Sequence, residues 1–224
     1  MEFVPVPGTK VLFCRTETRV KDFEAFANAT DYERDKERDW RKPGFEQGPD
    51  HPVVNVCWND ARAFCEWLSK KEGVEYRLPT DEEWGAAVGP GKYPWGNDWP
   101  PPKGAGNYAV DKSDSAKYTA PVASYTANRL GIFDLGGNAW EWCEDEWKPA
   151  MNEPDAVKEL PSLKEEKDDD GTAFRRFREF RVMRGASWIV DEEFLLRSSY
   201  RNGVHRAYRE NRLGFRCVLV VSAR

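Results

Sequence analysis

Apolar residues recur at helical spacing in two segments of the first third of the chain. Val20, Phe23 and Ala27 lie on one face of a helix, and this pattern predicts a helix over Val20–Ala29. Ala61, Phe64, Cys65 and Leu68 repeat the same period. The two segments therefore predict two amphipathic helices.

End signals define the second helix and predict a third. Asn59 or Asp60 is expected to cap the start of the second helix, and Gly73 is expected to end it. Thr80 followed by Glu83 forms the pattern of a capping box, which predicts a short third helix beginning there.

The remaining chain has short extended runs between turn residues. Gly89 to Pro102 is rich in proline and glycine, which excludes a long periodic element. Two strands are predicted late in the chain, at Arg181–Arg184 and Gly214–Val221. We therefore predict an α+β fold with much irregular loop, with helices early in the chain and strands late.

Length and composition favour one packed domain. The chain has 224 residues, 10 tryptophans and 13% aromatic residues, which excludes a disordered chain. No internal repeat or clear linker divides it, so residues 1–224 are expected to form a single domain. The charged run from Lys164 to Gly171 is interpreted as part of a solvated surface insertion at about 148–178.

Charge and hydropathy limit the partners. With 34 basic and 39 acidic residues the net charge is −5, which argues against a nucleic-acid partner bound by a broad basic face. No apolar run is long enough to span a bilayer. The first residues lack the pattern of a secretory signal, so the cytoplasm is the default expectation while the true location stays open.

Cysteine and histidine content does not predict a metal site. The cysteines form no Cys-x-x-Cys pair, which argues against a zinc ribbon or a thioredoxin-type motif. We expect them to be small buried hydrophobic residues in a reducing compartment. They are Cys14, Cys57, Cys65, Cys143 and Cys217. The two histidines, His51 and His205, are too far apart to argue for a histidine-based site.

Several motifs follow one another in an order that is specific to one family. They are His51–Ala61 (HPVVNVCWNDA), Arg77–Trp84 (RLPTDEEW), Tyr93–Gly96 (YPWG), Gly131–Trp142 (GIFDLGGNAWEW), Arg184–Trp188 (RGASW) and Leu213–Cys217 (LGFRC). Together they resemble the formylglycine-generating enzyme, or sulfatase-modifying factor, family from about Phe3 to the C-terminus. The resemblance implies a large, irregular variant of the C-type lectin fold. It also implies that Trp58, Trp67, Trp84, Trp140 and Trp142 are core residues.

The resemblance does not extend to the catalytic cysteines. Enzymes of this family bind copper through two cysteines after a Gly-Gly-Ser motif, and the matching positions are Val190 and Leu195. Ser187 keeps the serine of that motif. Neither Val190 nor Leu195 can ligate copper, so catalytic residues and a resident cofactor are not expected. A second, iron-dependent branch needs a separate helical domain that this chain lacks.

Structural calcium in family members points to one alternative metal site. The matching segments lie near Asn107, Asn138 and Glu141, whose oxygens are suitable hard ligands.

A third branch of the family suggests a binding function. In variable proteins of diversity-generating retroelements, the segment between the Arg-Gly-Ala-Ser-Trp and Gly-Phe-Arg motifs forms a ligand-binding surface, and here it is residues 188–212. The chain is closest in character to these proteins. The expected ligand-binding residues are Trp188, Ile189, Val190, Asp191, Glu193, Phe194, Tyr200, Asn202, Gly203, Val204, His205, Tyr208 and Glu210.

Core and surface roles compete within this segment. Leu195 and Leu196 are interpreted as core, and Trp188 fits core and binding site equally well. The ligand is unknown, with a protein favoured over a small molecule. The alternative functions are a regulatory pseudo-enzyme and, after it, a copper- or iron-dependent oxidase.

Overall fold

A computed structural model describes residues 1–32, 37–111, 113, 115–148 and 179–221. The predicted surface insertion at about 148–178 lies outside the described residues except for Lys148. Within the described chain, three α-helices and eight short strands surround two adjoining hydrophobic clusters.

The first helix, α1, spans Val20–Ala29, as the apolar spacing predicts. Phe23 and Phe26 are buried, and the Phe23 ring lies 5.3 Å from that of Trp40 and 6.0 Å from that of Phe64. The apolar stripe of α1 therefore packs against α2, which spans Trp58–Glu72.

The start of α2 differs from the prediction. Cys57 is the capping residue, and its backbone N–H donates to Oδ2 of Asp60 at 2.8 Å. Asp60 thus satisfies the free N–H from inside the first turn instead of from the cap position. Gly73 ends the helix with φ of 72°, a left-handed conformation that favours glycine, as predicted.

The predicted capping box starts α3, which spans Asp81–Val88. The Glu83 backbone N–H donates to Thr80 Oγ1 at 3.1 Å, and the Thr80 N–H donates to Glu83 Oε2 at 2.8 Å. Glu83 also accepts from both terminal nitrogens of Arg77 at 2.7 Å. Arg77 and Glu83 are therefore partners in a half-buried ion pair.

The strands form two four-stranded sheets. The first contains β1 (Phe3–Pro5), β2 (Val11–Cys14), β3 (Tyr76–Arg77) and β8 (Val218–Val220), all antiparallel in the order β1-β2-β8-β3. The second contains β4 (Trp140–Glu146), β5 (Phe180–Arg184), β6 (Asn202–His205) and β7 (Leu213–Gly214) in the order β6-β5-β4-β7. Only the β4–β7 pair in that sheet is parallel.

Two strand predictions need correction. Strands β1 and β2 precede α1, so the strands are not confined to the end of the chain. The run Gly214–Val221 divides into β7 and β8, which belong to different sheets. The chain passes from the second sheet to the first at Arg216, whose side chain is fully buried in the core.

A buried ion pair lies at this crossing. Arg216 donates to both carboxylate oxygens of Glu141, at 2.7 and 2.5 Å, and both side chains are completely buried. The indole N–H of Trp84 donates to the same carboxylate at 3.0 Å, and Arg216 also donates to the Phe133 carbonyl. Through these bonds the pair links β4, the crossing between β7 and β8, and α3. Removing one charged member would leave the other without a counter-charge in the core.

Tryptophans and cysteines occupy the core as expected. Trp58, Trp84, Trp140 and Trp142 are buried, whereas Trp67 is half-buried against the same core. All five cysteines are buried free thiols. In the part of the chain that the structure describes, no helix has the length and apolarity needed to cross a membrane.

Candidate functional site

Residues 188–212 leave the second sheet and return to it. The segment follows β5, and the Trp188 N–H donates to the Asn138 carbonyl at 3.1 Å. Ala109 then donates to the Val190 carbonyl at 2.8 Å. A short 3-10 helix (Glu193–Leu196) follows, and the chain then re-enters the second sheet as its edge strand β6 before it reaches β7. Both ends of the segment are therefore anchored to the scaffold.

The predicted binding residues fall into three groups by burial. Exposed side chains belong to Ile189, Asp191, Phe194, His205 and Tyr208. Half-buried side chains belong to Trp188, Glu193, Tyr200, Asn202, Val204 and Glu210. Val190 and Gly203 are buried. The apolar members that face outward are Ile189, Phe194 and Tyr208, exposed by 44%, 47% and 43%.

The interpretation of Val190, Gly203 and Val204 as surface residues is corrected by their packing. Val190 belongs to the main hydrophobic cluster, and Val204 packs against that cluster. A Cβ atom added to Gly203 would overlap Cγ of Trp147, so the strand backbone touches the indole directly. These three residues support the surface from below.

Glu193 is held by the scaffold as well. Its carboxylate accepts from the Tyr93 hydroxyl and from Lys92 Nζ at 2.9 Å. These bonds, the Tyr93 bond first, lower the pKa of Glu193 to about 2. Glu193 thus links the segment to the Tyr93–Gly96 motif.

Two arginines of the segment bind the helices beneath it. Arg201 Nε lies 2.9 Å from Asp81 at the start of α3. Arg209 donates to Asp60 in the first turn of α2 at 3.1 Å. Both arginines lie between the RGASW and LGFRC motifs, and their carboxylate partners attach residues 188–212 to α2 and α3.

Two aromatic residues from other loops join the surface, and sequence reasoning missed both. Phe45 and Tyr118 are half-buried and stack with ring centroids 4.6 Å apart. The Trp188 ring meets both edge-on, at 6.1 Å from Phe45 and 5.2 Å from Tyr118. We call Phe45, Tyr118 and Trp188 the aromatic cluster. Neither loop carries a periodic pattern that could have revealed it.

The loop of residues 37–48 connects the two ends of the predicted surface. Asn211 donates to the Pro43 carbonyl at 3.0 Å near one end. Phe45, two residues further on, contacts Trp188 at the other end. Residues 188–212 and this loop therefore form one continuous face, which we call the C-terminal face.

Two polar groups where the segment begins have no hydrogen-bond partner among the described residues. Ser187 is fully buried, and no described residue bonds to its hydroxyl or to the indole N–H of Trp188. The exposed His205 accepts from the Ala207 N–H at 3.2 Å. Across the described ranges, no group of three His, Cys, Asp or Glu side chains could hold a metal ion.

The residues predicted to bind calcium bond to other protein groups instead. Asn107 donates to Asn138 Oδ1 at 3.1 Å, and Asn138 donates to Glu17 Oε2 at 2.7 Å. Glu141 accepts from Arg216. Because the side-chain oxygens of all three already accept hydrogen bonds, these residues in this arrangement do not fit a calcium ion.

Burial raises the pKa of two carboxyl groups in this region. It raises the pKa of Glu17 well above its usual range, with the nearby carboxyls of Asp134 and Glu141 adding to the effect. It also raises the pKa of Asp134 to about 6. Both side chains lie close to the Glu141–Arg216 pair, which makes a compact buried acidic group.

The motifs, the two sheets and the buried Glu141–Arg216 pair define a formylglycine-generating-enzyme type of domain. Residues 12–221 match the family model described as a sulfatase-modifying factor enzyme 1-like domain. The chain belongs to this family.

Two sequence relatives show the range of activities in the family. The chain is 32% identical over 197 residues to a formylglycine-generating enzyme of Streptomyces coelicolor, covering 80% of this chain and 57% of the relative. It is 33% identical over 203 residues to the inactive C-alpha-formylglycine-generating enzyme 2 of Bos taurus, covering 80% and 55%. The chain therefore spans little more than half the length of these relatives.

Two solved structures share the fold. PvdO from Pseudomonas aeruginosa superposes with a TM-score of 0.70 at 28% identity, covering 94% of this chain and 80% of that one. Treponema denticola variable protein 1 superposes with a TM-score of 0.68 at 21% identity, covering 98% and 91%. The predicted α+β, C-type-lectin-like fold is confirmed.

Proposed function

We propose that this chain is a non-catalytic member of its family that binds a ligand through the C-terminal face. The observation that carries the proposal is the chemistry at positions 190 and 195. Val190 is buried and Leu195 is half-buried against the core. Hydrocarbon side chains at both positions leave no sulfur where the family's enzymes hold copper.

The cysteines elsewhere do not replace the missing pair. Copper binds thiolates, and burial raises the pKa of Cys14 to about 11 and that of Cys143 well above its ordinary value. Cys65 and Cys217 have sulfurs 3.4 Å apart, but both lie in the hydrophobic core. A substrate thiol has no path to these sulfurs in the described structure.

The exposed side chains supply what a binding surface needs. Ile189, Phe194 and Tyr208 are apolar or amphipathic and lie on a segment anchored at both ends, so presenting them costs little conformational entropy on binding. Aromatic side chains are efficient anchors at interfaces. The Treponema variable protein shares this fold. We take the ligand to be a protein because aromatic and apolar anchors of this kind are typical of protein interfaces.

A regulatory pseudo-enzyme is the second candidate, favoured by the bovine relative named as inactive. Both candidates lack oxidase chemistry. They differ in whether the C-terminal face is a binding surface.

The test compares two surface variants. Ile189→Ser/Phe194→Ser/Tyr208→Ser removes the outward apolar groups of the face, and Val74→Ser/Val221→Ser removes exposed apolar groups elsewhere. Peptides selected from a random library against the wild type are expected to bind the first variant at least tenfold more weakly and the second unchanged. Both variants should keep the wild-type melting temperature, because the replaced side chains are exposed.

Two results would contradict the proposal. Selected peptides that bind the first variant as tightly as the wild type would move the conclusion to the pseudo-enzyme. Formation of an aldehyde from a cysteine-containing peptide, by purified protein supplied with Cu(I) and oxygen, would overturn both non-catalytic functions.

A further inference from the structure

A separate cleft of about 550 Å³ lies beside the Tyr93–Gly96 motif. Residues from two segments, 88–105 and 126–136, line it, and none comes from residues 188–212. Its volume is within the range of pockets that hold small organic ligands. The proposed function makes no use of this cleft.

Apolar and flat side chains make up much of its lining. Pro94 and Trp95 come from the motif, and Ile132 and Leu135 come from the second segment. The Trp95 ring stacks on Tyr93 at 5.0 Å with the planes 7° apart, and its N–H donates to the Asp98 carbonyl at 3.0 Å. These bonds hold the indole in a defined orientation beside the cleft.

Two cationic side chains also line the cleft. Lys103 and Arg129 are exposed, and neither forms an ion pair with any residue that the structure describes. Arg129 lies near Gly89, where an added Cβ would be 3.5 Å from the guanidinium. Hydrogen bonds from Ser113 lower the pKa of the exposed Asp111, and Lys103 lies close enough to lower it further, but no ion pair among the described residues occupies either cation. Such an arginine and lysine are suited to bind carboxylate or phosphate oxygens.

Asp134 opposes an anion deeper in the cleft. It is the one acidic residue among the described lining residues, and only 6% of it is exposed. Its Oδ2 accepts from the Ala123 N–H at 2.8 Å, so the side chain is fixed in place. An anionic group would therefore be placed beside Lys103 and Arg129 and away from Asp134.

We infer that this cleft binds a small organic anion that joins a carboxylate or phosphate group to a flat apolar body. The charged group contacts Lys103 and Arg129, and the body lies against Pro94, Trp95 and Ile132. This site is independent of the proposed function of the C-terminal face.

Calorimetry with matched probes tests the ligand class. Indole-3-propionate and phenyl phosphate carry the two anionic groups on flat bodies, whereas indole-3-propionamide is neutral and tryptamine is cationic. Acetate and inorganic phosphate supply the charge without the body. We expect binding by at least one flat anion, at least tenfold weaker binding of the neutral and cationic analogues, and no measurable binding of acetate or inorganic phosphate. The better of the two flat anions tells whether carboxylate or phosphate is preferred.

Matched variants then locate the site. Lys103→Ala/Arg129→Ala is expected to weaken binding of the better flat anion at least tenfold, and Lys10→Ala/Lys70→Ala, which removes two exposed lysines outside the cleft, should leave it unchanged. Trp95→Leu should also weaken binding. All replaced cations are exposed, so melting temperatures should match that of the wild type.

The inference fails if neither flat anion binds at millimolar concentration, or if the neutral analogue binds as tightly as the anion. It also fails if the Lys103/Arg129 variant keeps the wild-type affinity. None of these outcomes affects the peptide-binding test of the C-terminal face, so the two proposals stand or fall separately.

Discussion

At the scale of single residues, close packing explains why some positions in the predicted binding segment do not face the surface. Gly203 sits in β6 against the buried Trp147, where there is no space for a side chain. Its neighbour Val204 pairs with Arg181 in the β5–β6 ladder. The flanking motifs delimit the predicted segment, but burial within it depends on contacts that the local sequence does not encode.

Gly203→Ala should destabilise the domain by about 3 kcal/mol or prevent folding, because the added methyl group overlaps the Trp147 ring. Urea denaturation followed by circular dichroism measures the change. Gly48→Ala is the matched control, since its added Cβ meets its nearest neighbour, His51, at 3.6 Å, an ordinary contact. Equal unfolding midpoints for the two variants would show that Trp147 moves aside without cost.

At the scale of elements, the helices could be predicted from sequence and most of the sheet pairing could not. Periodicity and end signals are local, so α1 and α3 begin where expected, and α2 differs only in its capping residue. The strands have two to seven residues. In the sequence β7 and β8 form one continuous run, but in the fold they belong to different sheets. The aromatic cluster was missed for the same reason, since Phe45 and Tyr118 meet Trp188 only after folding.

Thr80→Ala removes the hydroxyl that accepts from the Glu83 N–H at the start of α3. We expect a loss of about 1 kcal/mol in the free energy of unfolding, measured by urea denaturation. Thr80→Ser keeps the hydroxyl and should lose much less. If both variants lost the same amount, packing of the threonine methyl group and not capping would be the cause.

At the scale of the whole molecule, buried acids make stability depend on pH. Burial raises the pKa of Asp134 from 3.8 to about 6, so the folded state holds this proton more tightly than the unfolded state. The contribution of Asp134 to stability is therefore full below about pH 4 and falls as the pH rises through 6. The shift corresponds to at most about 3 kcal/mol.

Asp134→Asn should remove this dependence. Relative to the wild type, the variant should gain stability between pH 4 and pH 7, as measured by urea denaturation at each pH. Asp31→Asn, at an exposed carboxyl, should follow the wild-type curve. Parallel curves for wild type and Asp134→Asn would show that the buried carboxyl titrates as it does in the unfolded chain.

The order of strands in the first sheet has a consequence for how the chain is made. Strand β8 lies between β2 and β3, so residues 11–13 of β2 pair with residues 218–220, more than 200 positions later in the chain. A growing chain on the ribosome can form the β1–β2 hairpin early, but the open edge of β2 stays unpaired until residues 218–220 have been translated. Such long-range closure slows folding and leaves a strand edge exposed during synthesis, which favours aggregation of the incomplete chain.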